Sequence, residues 1–143
     1  IEKDQHKNAK KLLNNIVKYK LQDNIVNAGQ LKQEELSGYF LNCDALLFPT
    51  LLESFSGTYL EAMHFGLPIL TSDLDFARYV CSDAALYFNP WDTDDIADKI
   101  IRLKNSPNLR KELVQKGNKR IAFFFKDWTE IVQNILKDLE SLV

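Results

Sequence analysis

Two glutamates flank a short Ser- and Gly-containing segment, Glu53-Ser-Phe-Ser-Gly-Thr-Tyr-Leu-Glu61, and lie eight residues apart. The apolar run before them, Ala45-Leu-Leu-Phe-Pro-Thr50, predicts a buried strand of a parallel sheet. The run after them, Leu60–Phe65, favours a helix that stops at Gly66, with Pro68 shortly beyond. A strand, a polar turn and a helix in this order place free N–H groups and the positive end of a helix dipole at the carboxyl edge of a sheet. Such an edge binds anions.

Charge and length indicate which anion suits this segment. A carboxylate beside a phosphate repels it, so Glu53 and Glu61 are better suited to accept hydrogen bonds from neutral hydroxyl groups on either side of a diphosphate. We expect the two side chains about 10 Å or more apart, because an α-helix rises about 1.5 Å per residue. A hexose, a diphosphate and a ribose in sequence span such a distance. The segment therefore predicts a sugar-nucleotide site, with Ser54 or Ser56 capping the helix and Gly57 allowing close ligand approach.

The motif and its flanking segments resemble the retaining glycosyltransferases of the large GT-B group that is often called family 4. The likeness covers nearly the whole chain, and its segments are the Gly29 region, Asp44–Thr50, Glu53–Glu61, Ala62–Ile69, Thr71–Asp73, Ala85–Pro90 and Phe125–Trp128. The resemblance implies an α/β fold with a Rossmann-like parallel sheet sandwiched by helices. It also implies that residues 1–143 form the nucleotide-sugar-binding, C-terminal half of a two-domain enzyme.

The resemblance implies roles for single residues as well. In that family the first glutamate holds the donor hexose and the second holds the donor ribose, which gives Glu53 a catalytic position and Glu61 a donor-binding one. Backbone amides just after the first glutamate bind the phosphates. The equivalent amides belong to Phe55, Ser56, Gly57 and Thr58. The family usually places Gly directly after Phe55, so Ser56 either narrows the donor pocket or adds a hydroxyl contact.

A further donor contact is predicted at Gly29. This residue follows an expected strand over Asn24–Ala28 and so faces the carboxyl edge, where a nucleobase stacks or pairs with the backbone. An ordinary strand-to-helix loop explains Gly29 equally well. We expect a UDP-, GDP- or ADP-sugar as donor substrate, no cofactor and no metal. The Asp73-Leu-Asp75 segment spells a metal-binding Asp-x-Asp, but helix capping explains these acids better.

Composition agrees with one globular domain. A chain of 143 residues is long enough to bury a core, and a formal net charge of −2 with a pI near 5.7 argues against a nucleic-acid surface. No apolar run approaches the roughly 18 residues of a membrane span, and nothing resembles a signal peptide. Cys43 and Cys81 lack a metal-ligand pattern and are expected to be buried free thiols. The sequence thus predicts a cytoplasmic domain, with any association with the inner face of the membrane made by another part of the protein.

Alternating elements predict right-handed βαβ units. Helices are expected over Asp4–Tyr19, Gln33–Leu41, Leu60–Phe65, Phe76–Val80, Thr93–Leu103, Pro107–Phe123 and Trp128–Leu142, and strands over Asn24–Ala28, Ala45–Phe48, Pro68–Thr71 and Leu86–Phe88. The chain opens on a polar helix where a Rossmann-like domain opens on a strand. We therefore expect the first strand and an acceptor-binding N-terminal domain to lie outside these residues. The aromatic residues Phe123–Phe125 and Trp128 either fill the core or dock on that domain.

The resemblance implies transfer of a hexosyl group, with retention, from a nucleoside diphosphate sugar to a sugar or lipid-linked acceptor, in polysaccharide biosynthesis. The isolated chain is expected to be inactive. Two alternatives stay open: a sugar-nucleotide epimerase of the same architecture, and a non-catalytic nucleotide-sugar-binding subunit.

Overall fold

The computed structural model describes residues 7–124 and 128–141. Its elements in chain order are α1 (Lys7–Lys18), α2 (Gln33–Leu41), β1 (Leu46–Phe48), α3 (Gly57–His64), β2 (Ile69–Ser72), α4 (Asp75–Cys81), β3 (Ala85–Phe88), α5 (Thr93–Asn105), α6 (Pro107–Phe124) and α7 (Trp128–Glu140). From β1 to α5 strands and helices alternate as predicted. The chain forms two compact units, residues 1–39 and residues 40–143.

The three strands of the larger unit form one parallel sheet in the order β1-β2-β3. Phe48 pairs with Thr71, and Thr71 pairs with Tyr87. The carboxyl ends of the strands therefore line up at one edge, with α3 and α4 connecting neighbouring strands. All four residues of the central strand β2 are buried, as expected for a strand covered on both faces.

Apolar clusters cover both faces of the sheet. Ile69 belongs to one cluster with Tyr59 and Met63, whereas its neighbour Leu70 belongs to a second cluster with Phe88. Adjacent residues of a strand point to opposite faces, so the two clusters lie on the two sides of the sheet. This confirms the predicted α/β sandwich.

Helix α6 approaches α3 closely, and a glycine permits it. A Cβ atom on Gly117 would lie 3.2 Å from Cγ of Met63, which is tighter than an ordinary van der Waals contact. Gly117 is buried in α6 and Met63 is buried in α3. The absence of a side chain at residue 117 therefore sets how near α6 can lie to the helix that opens the predicted site.

Two predictions about the fold are wrong. Asn24–Ala28 does not form a strand: the amides of Asn24 and Ile25 both donate to the Leu21 carbonyl, at 3.0 and 2.9 Å, so turn bonds use groups that a ladder needs. Val26 in this segment is 87% exposed. The thiol of Cys43 is exposed in the loop before β1, whereas Cys81 is buried as expected.

Candidate functional site

The loop between β1 and α3 orients Glu53. The Thr50 hydroxyl lies 3.3 Å from the Glu53 carboxylate and 3.4 Å from the Leu52 carbonyl oxygen, so it can donate to either. Glu53 is half-buried, and it lines a cleft of about 440 Å³ with Leu74 and Tyr79. Glu53 thus lines a cleft at the carboxyl edge of the sheet, where the sequence predicts it.

Helix α3 begins without a side-chain cap. Ser56 occupies the N-cap position with φ −100° and ψ 115°, but in the described part of the chain its side chain makes no capping hydrogen bond. The prediction that a serine caps this helix is right about the position of Ser56 and wrong about the bond. Because the first-turn N–H groups have no acceptor within the helix, they stay available to a ligand. These groups include the predicted phosphate contacts at Gly57 and Thr58.

Helix α5, which begins at the same edge of the sheet, shows the contrast. The Asp92 carboxylate accepts hydrogen bonds from the amides of Asp94 and Asp95, at 3.0 and 3.2 Å. A carboxylate of the chain itself therefore occupies the anion position of α5. The corresponding position of α3 is left open.

A buried hydroxyl chain holds α3 against the sheet. The Thr71 hydroxyl donates to the Phe48 carbonyl at 3.0 Å and lies 2.7 Å from the Tyr59 hydroxyl. Since threonine has one hydroxyl proton, Tyr59 is the donor to Thr71. Burial raises the pKa of Tyr59, and the hydrogen bond with Thr71 opposes that shift. Sequence reasoning missed this contact; its only signal is a tyrosine inside the motif and a threonine at a strand end.

Glu61 lines a different cleft from Glu53. This cleft has a volume of about 670 Å³, and Gly57, Glu61 and His64 line it from α3 while Ile121 lines it from α6. Residues four apart share one face of a helix, which explains why Gly57 and Glu61 meet the same space. Glu61 is exposed, so its carboxylate is accessible to a ligand.

Aromatic residues line the other flank of the motif. Phe55 is 48% exposed, and its ring centroid lies 5.8 Å from that of Phe124, which in turn lies 6.4 Å from the Tyr79 ring. The Arg120 guanidinium lies 4.8 Å from the Phe124 centroid and donates to the Val80 carbonyl at 2.9 Å and to the Tyr79 carbonyl. Arg120 thus fixes the end of α4 and the aromatic contact of Phe55 together, a role that sequence reasoning did not find.

The aromatic segment near the end of the chain contains one ring that fills the core, which is one of its two predicted roles. Phe124 is half-buried and packs against the core, whereas Phe123 is 60% exposed. Residues 125–127 lie outside the described residues, as does the Trp128 side chain. The exposed Phe123 ring leaves the docking hypothesis as a prediction.

The acids of the Asp-x-Asp segment have structural partners, but neither occupies the N-cap position of α4, which belongs to Leu74. Asp73 accepts two hydrogen bonds from Arg78, at 2.6 and 2.8 Å, and this pairing lowers the pKa of Asp73. Asp75 accepts from the Phe76 amide at 2.8 Å. Within residues 7–124 and 128–141, no three His, Cys, Asp or Glu side chains are grouped so as to hold a metal ion.

Gly29 belongs to the unit of residues 1–39. Its φ is +70°, and its amide donates to the Asn27 side chain at 3.1 Å, which forms a local turn. Its contact with a nucleobase stays a prediction.

None of the described helices has both the length and the apolar character needed to cross a bilayer.

Comparison with known proteins identifies the family. The model of "Glycosyl transferases group 1" matches residues 4–120. The chain is 26% identical over 123 residues to the O-antigen chain mannosyltransferase RfbU of Salmonella typhimurium, covering 86% of this chain and 34% of the relative. It is 30% identical over 92 residues to the phosphatidyl-myo-inositol mannosyltransferase of Mycobacterium leprae, covering 63% of this chain and 24% of that protein.

A solved structure shares the fold. The sucrose-phosphate synthase of Thermosynechococcus elongatus superposes with a TM-score of 0.78 at 23% identity, over 93% of this chain and 34% of that one. The chain thus spans about a third or less of the length of these proteins. The family match covers most of the sequence and includes the motif with its two glutamates. The chain belongs to the group 1 glycosyltransferases.

Proposed function

We propose that this chain is the donor-binding domain of a hexosyltransferase. It binds a nucleoside diphosphate sugar at the start of α3, with Glu53 and Glu61 contacting the two sugar rings of the donor. In the complete protein it transfers the hexose, with retention, to a sugar or lipid-linked acceptor that an N-terminal domain holds. The observation that carries this proposal is the open anion position of α3 between the two glutamates.

The diphosphate fits the start of α3. Unpaired N–H groups and the helix dipole favour negative charge there, and Ser56 leaves the position open. An added Cβ on Gly57 would meet no atom within 4 Å, so a phosphate can approach the backbone at that point. The acidic residues nearest in sequence, Glu53 and Glu61, line separate clefts and leave this position to the ligand.

The two clefts suit the two ends of a sugar nucleotide. Glu53 is oriented by Thr50 and accepts hydroxyl groups of the hexose. Glu61, one turn along α3 from Gly57, accepts the ribose hydroxyl groups in the larger cleft. Each carboxylate has several lone pairs for such bonds.

The chemistry follows from where charge develops. As the bond between the anomeric carbon and the diphosphate breaks, negative charge grows on the leaving phosphate, and the N–H groups of α3 stabilise it. Glu53 orients the hexose and supports the positive charge that develops on its ring. Retention rests on the resemblance to family 4 enzymes. We place the complete enzyme in the cytoplasm, working at the inner face of the membrane.

The names of the relatives agree with hexosyl transfer. Two are mannosyltransferases, and a third is a capsular polysaccharide biosynthesis glycosyltransferase of Staphylococcus aureus, 28% identical over 106 residues. These names support hexosyl transfer and a role in polysaccharide biosynthesis for this chain.

Ligand-observed NMR of the chain with UDP-, GDP- and ADP-sugars tests the donor site. We expect saturable binding of one nucleotide class and about tenfold weaker binding by Glu61→Ala, because hydrogen bonds to a charged group are the stronger kind. Asp98→Ala, which removes an exposed acid of α5, serves as the matched control and should bind like the parent chain. Equal binding by Glu61→Ala, or no binding of any donor, contradicts the proposal.

Activity of the complete protein distinguishes the transferase from its alternatives. Glu53→Ala should mainly lower the rate of transfer, whereas Glu61→Ala should mainly weaken the donor affinity. Interconversion of sugar nucleotides without an acceptor would instead indicate an epimerase. Donor binding with no turnover in the complete protein would indicate a binding subunit.

A further inference from the structure

Trp91 presents its indole ring to solvent in the loop between β3 and α5. Its side chain is 76% exposed, which is unusual for a residue whose ring is mostly apolar. The loop itself is well defined: the Trp91 amide donates to the Asn89 side chain at 3.0 Å, and the next residue, Asp92, caps α5. The backbone therefore anchors Trp91 from both sides while the ring is left uncovered.

Beside this ring lies a cleft of about 410 Å³ at the carboxyl edge of the sheet. Polar side chains line it together with Trp91, and they are Asp73, Asn89, Asp95 and Lys99. The Asp95 carboxylate accepts a hydrogen bond from the backbone N–H of Asn89 at 2.7 Å and pairs with the Lys99 ammonium at 3.0 Å. These two contacts fix the carboxylate in place. The hydrogen bond from the Asn89 backbone N–H lowers the pKa of Asp95 most, and the bond from Lys99 lowers it further. The Asp95 carboxylate therefore stays ionised at neutral pH and can accept hydrogen bonds.

The second carboxylate of this cleft, Asp73, is also fixed in place. Arg78 forms the two-bond pair with Asp73, and its guanidinium lies 3.9 Å from the centroid of the Tyr87 ring. The phenol of Tyr87 donates to the Ser82 carbonyl at 2.6 Å. Both carboxylates of the cleft are thus oriented by partners before any ligand arrives, and they retain lone pairs for further hydrogen bonds.

The chemistry of the cleft favours a neutral saccharide. Each of the two carboxylates is paired with one cation, so the cleft has no excess positive charge that would attract a phosphate or sulfate group. Hydroxyl groups suit this lining, because each can donate to Asp73 or Asp95 and accept from the Lys99 ammonium. The C–H face of a pyranose ring is flat and apolar enough to pack on an exposed indole, whose polar edge stays in water.

This cleft adjoins the cleft that holds Glu53. Leu74, in the loop between β2 and α4, lines both of them. We infer that the Trp91 cleft is a glycan subsite, which holds a neutral sugar unit of the acceptor or product chain on Trp91, one cleft away from Glu53. This inference rests on the proposed function, because the proposed transfer reaction is what brings a glycan to this cleft.

Fluorescence and NMR titrations with neutral trisaccharides of mannose, glucose and galactose test the subsite. In a Trp128→Phe background Trp91 is the only tryptophan, so a saturable change in its emission reports contact with the sugar. We expect Trp91→Ala to weaken binding of the trisaccharide about tenfold or more in ligand-observed NMR, because aromatic residues dominate such contacts. Asp95→Asn should weaken it less. Tyr39→Ala, an exposed aromatic of the other unit, serves as the matched control.

The outcomes separate this subsite from the donor site. Loss of trisaccharide binding in Trp91→Ala, with nucleotide-sugar binding intact, supports the subsite. Failure of all trisaccharides to bind, unchanged binding by Trp91→Ala, or a Trp91 emission change with free nucleosides instead of saccharides overturns it. None of these results depends on Glu61. The effect of Glu61→Ala on nucleotide-sugar binding therefore tests the donor site separately.

Discussion

The Tyr59 hydroxyl lies 2.7 Å from the Thr71 hydroxyl, in a place that solvent does not reach. Tyr59 stands in the first turn of α3, and Thr71 is the third residue of the central strand. The bond therefore joins the start of α3, the helix at which we propose that the donor binds, to the edge of the sheet. Because Thr71 in turn donates to the last residue of β1, both strands that flank the motif position the helix.

Tyr59→Phe should destabilise the chain by about 1 kcal/mol, since it removes one buried hydrogen bond while Thr71 keeps its bond to Phe48. We also expect weaker nucleotide-sugar binding, because the start of α3 loses its fixed contact. Urea unfolding followed by circular dichroism measures the first effect and NMR titration the second. Tyr39→Phe, at an exposed tyrosine, is the control. An unchanged free energy of unfolding in Tyr59→Phe would show that the bond contributes nothing.

Two neighbouring hydroxyls of β2 should respond in opposite ways to their removal. The buried Ser72 hydroxyl has no hydrogen-bond partner within the described residues, so Ser72→Ala should leave the free energy of unfolding unchanged or raise it by up to about 1 kcal/mol. Thr71→Val strands the Tyr59 hydroxyl and the Phe48 carbonyl, and should cost about 1–3 kcal/mol. Denaturant titration compares the pair. Equal destabilisation by both substitutions would contradict this account of β2.

Gly57→Leu should block the donor without harming the fold. An added Cβ atom at this position would meet no atom within 4 Å, and leucine has a higher helix propensity than glycine. The same side chain fills the space that the diphosphate needs, so we expect donor binding to be lost while the melting temperature is kept or raised.

Gly38→Leu in α2 is the matched control for that substitution, because an added Cβ atom there also would meet no atom within 4 Å. It should leave donor binding unchanged. Full donor affinity in Gly57→Leu, measured by the same NMR titration, would remove the start of α3 from the site.

Stability should fall at alkaline pH, partly through Cys81. Burial raises the pKa of this thiol from an ordinary 9.0 to about 12. The unfolded chain thus loses the thiol proton near pH 9 while the folded chain keeps it, so the stabilisation is complete below pH 9 and is lost as pH rises towards 12. The slope from one such group is at most about 1.4 kcal/mol per pH unit.

Cys81→Ala should flatten the decline between pH 9 and 11, as measured by urea unfolding across that range. It should not abolish the decline, because burial also raises the pKa of Tyr59 and Tyr87. Cys43→Ala, at the exposed thiol, should leave the slope as it is. A slope that Cys81→Ala does not alter would show that the buried thiol does not couple to folding.

The sequence predicted the elements whose signals are local. The apolar run over 45–48, the glycine and proline after α3 and the acids at the start of α5 each mark a boundary within a few residues, and the structure confirms those elements. The prediction of a strand over Asn24–Ala28 was wrong. An apolar pair such as Ile25 and Val26 forms a strand only where a neighbouring strand pairs with its backbone. There the chain bonds to its own preceding turn instead.

The parts of the site that the sequence did not predict depend on long-range contacts. Thr71 is twelve residues from Tyr59, and Arg120 is forty residues from the carbonyl of Val80 that it caps. No periodicity encodes such pairs. The sequence also could not predict that α3 lacks a side-chain cap. Ser56 is a good capping residue by type, and only its geometry shows that the bond is not made.

Because the start of α3 has no side-chain cap, donor binding and the folding of this helix are thermodynamically coupled. A donor phosphate seated there would supply the hydrogen-bond acceptor that Asp92 supplies for α5, and so would complete the helix as well as occupy the site. Any ligand that binds only the folded state raises its stability, by about 2.7 kcal/mol at a concentration a hundred times Kd. Under the proposed function, the unliganded domain thus carries a helix start that a bound donor would complete, and its thermal stability would report donor occupancy.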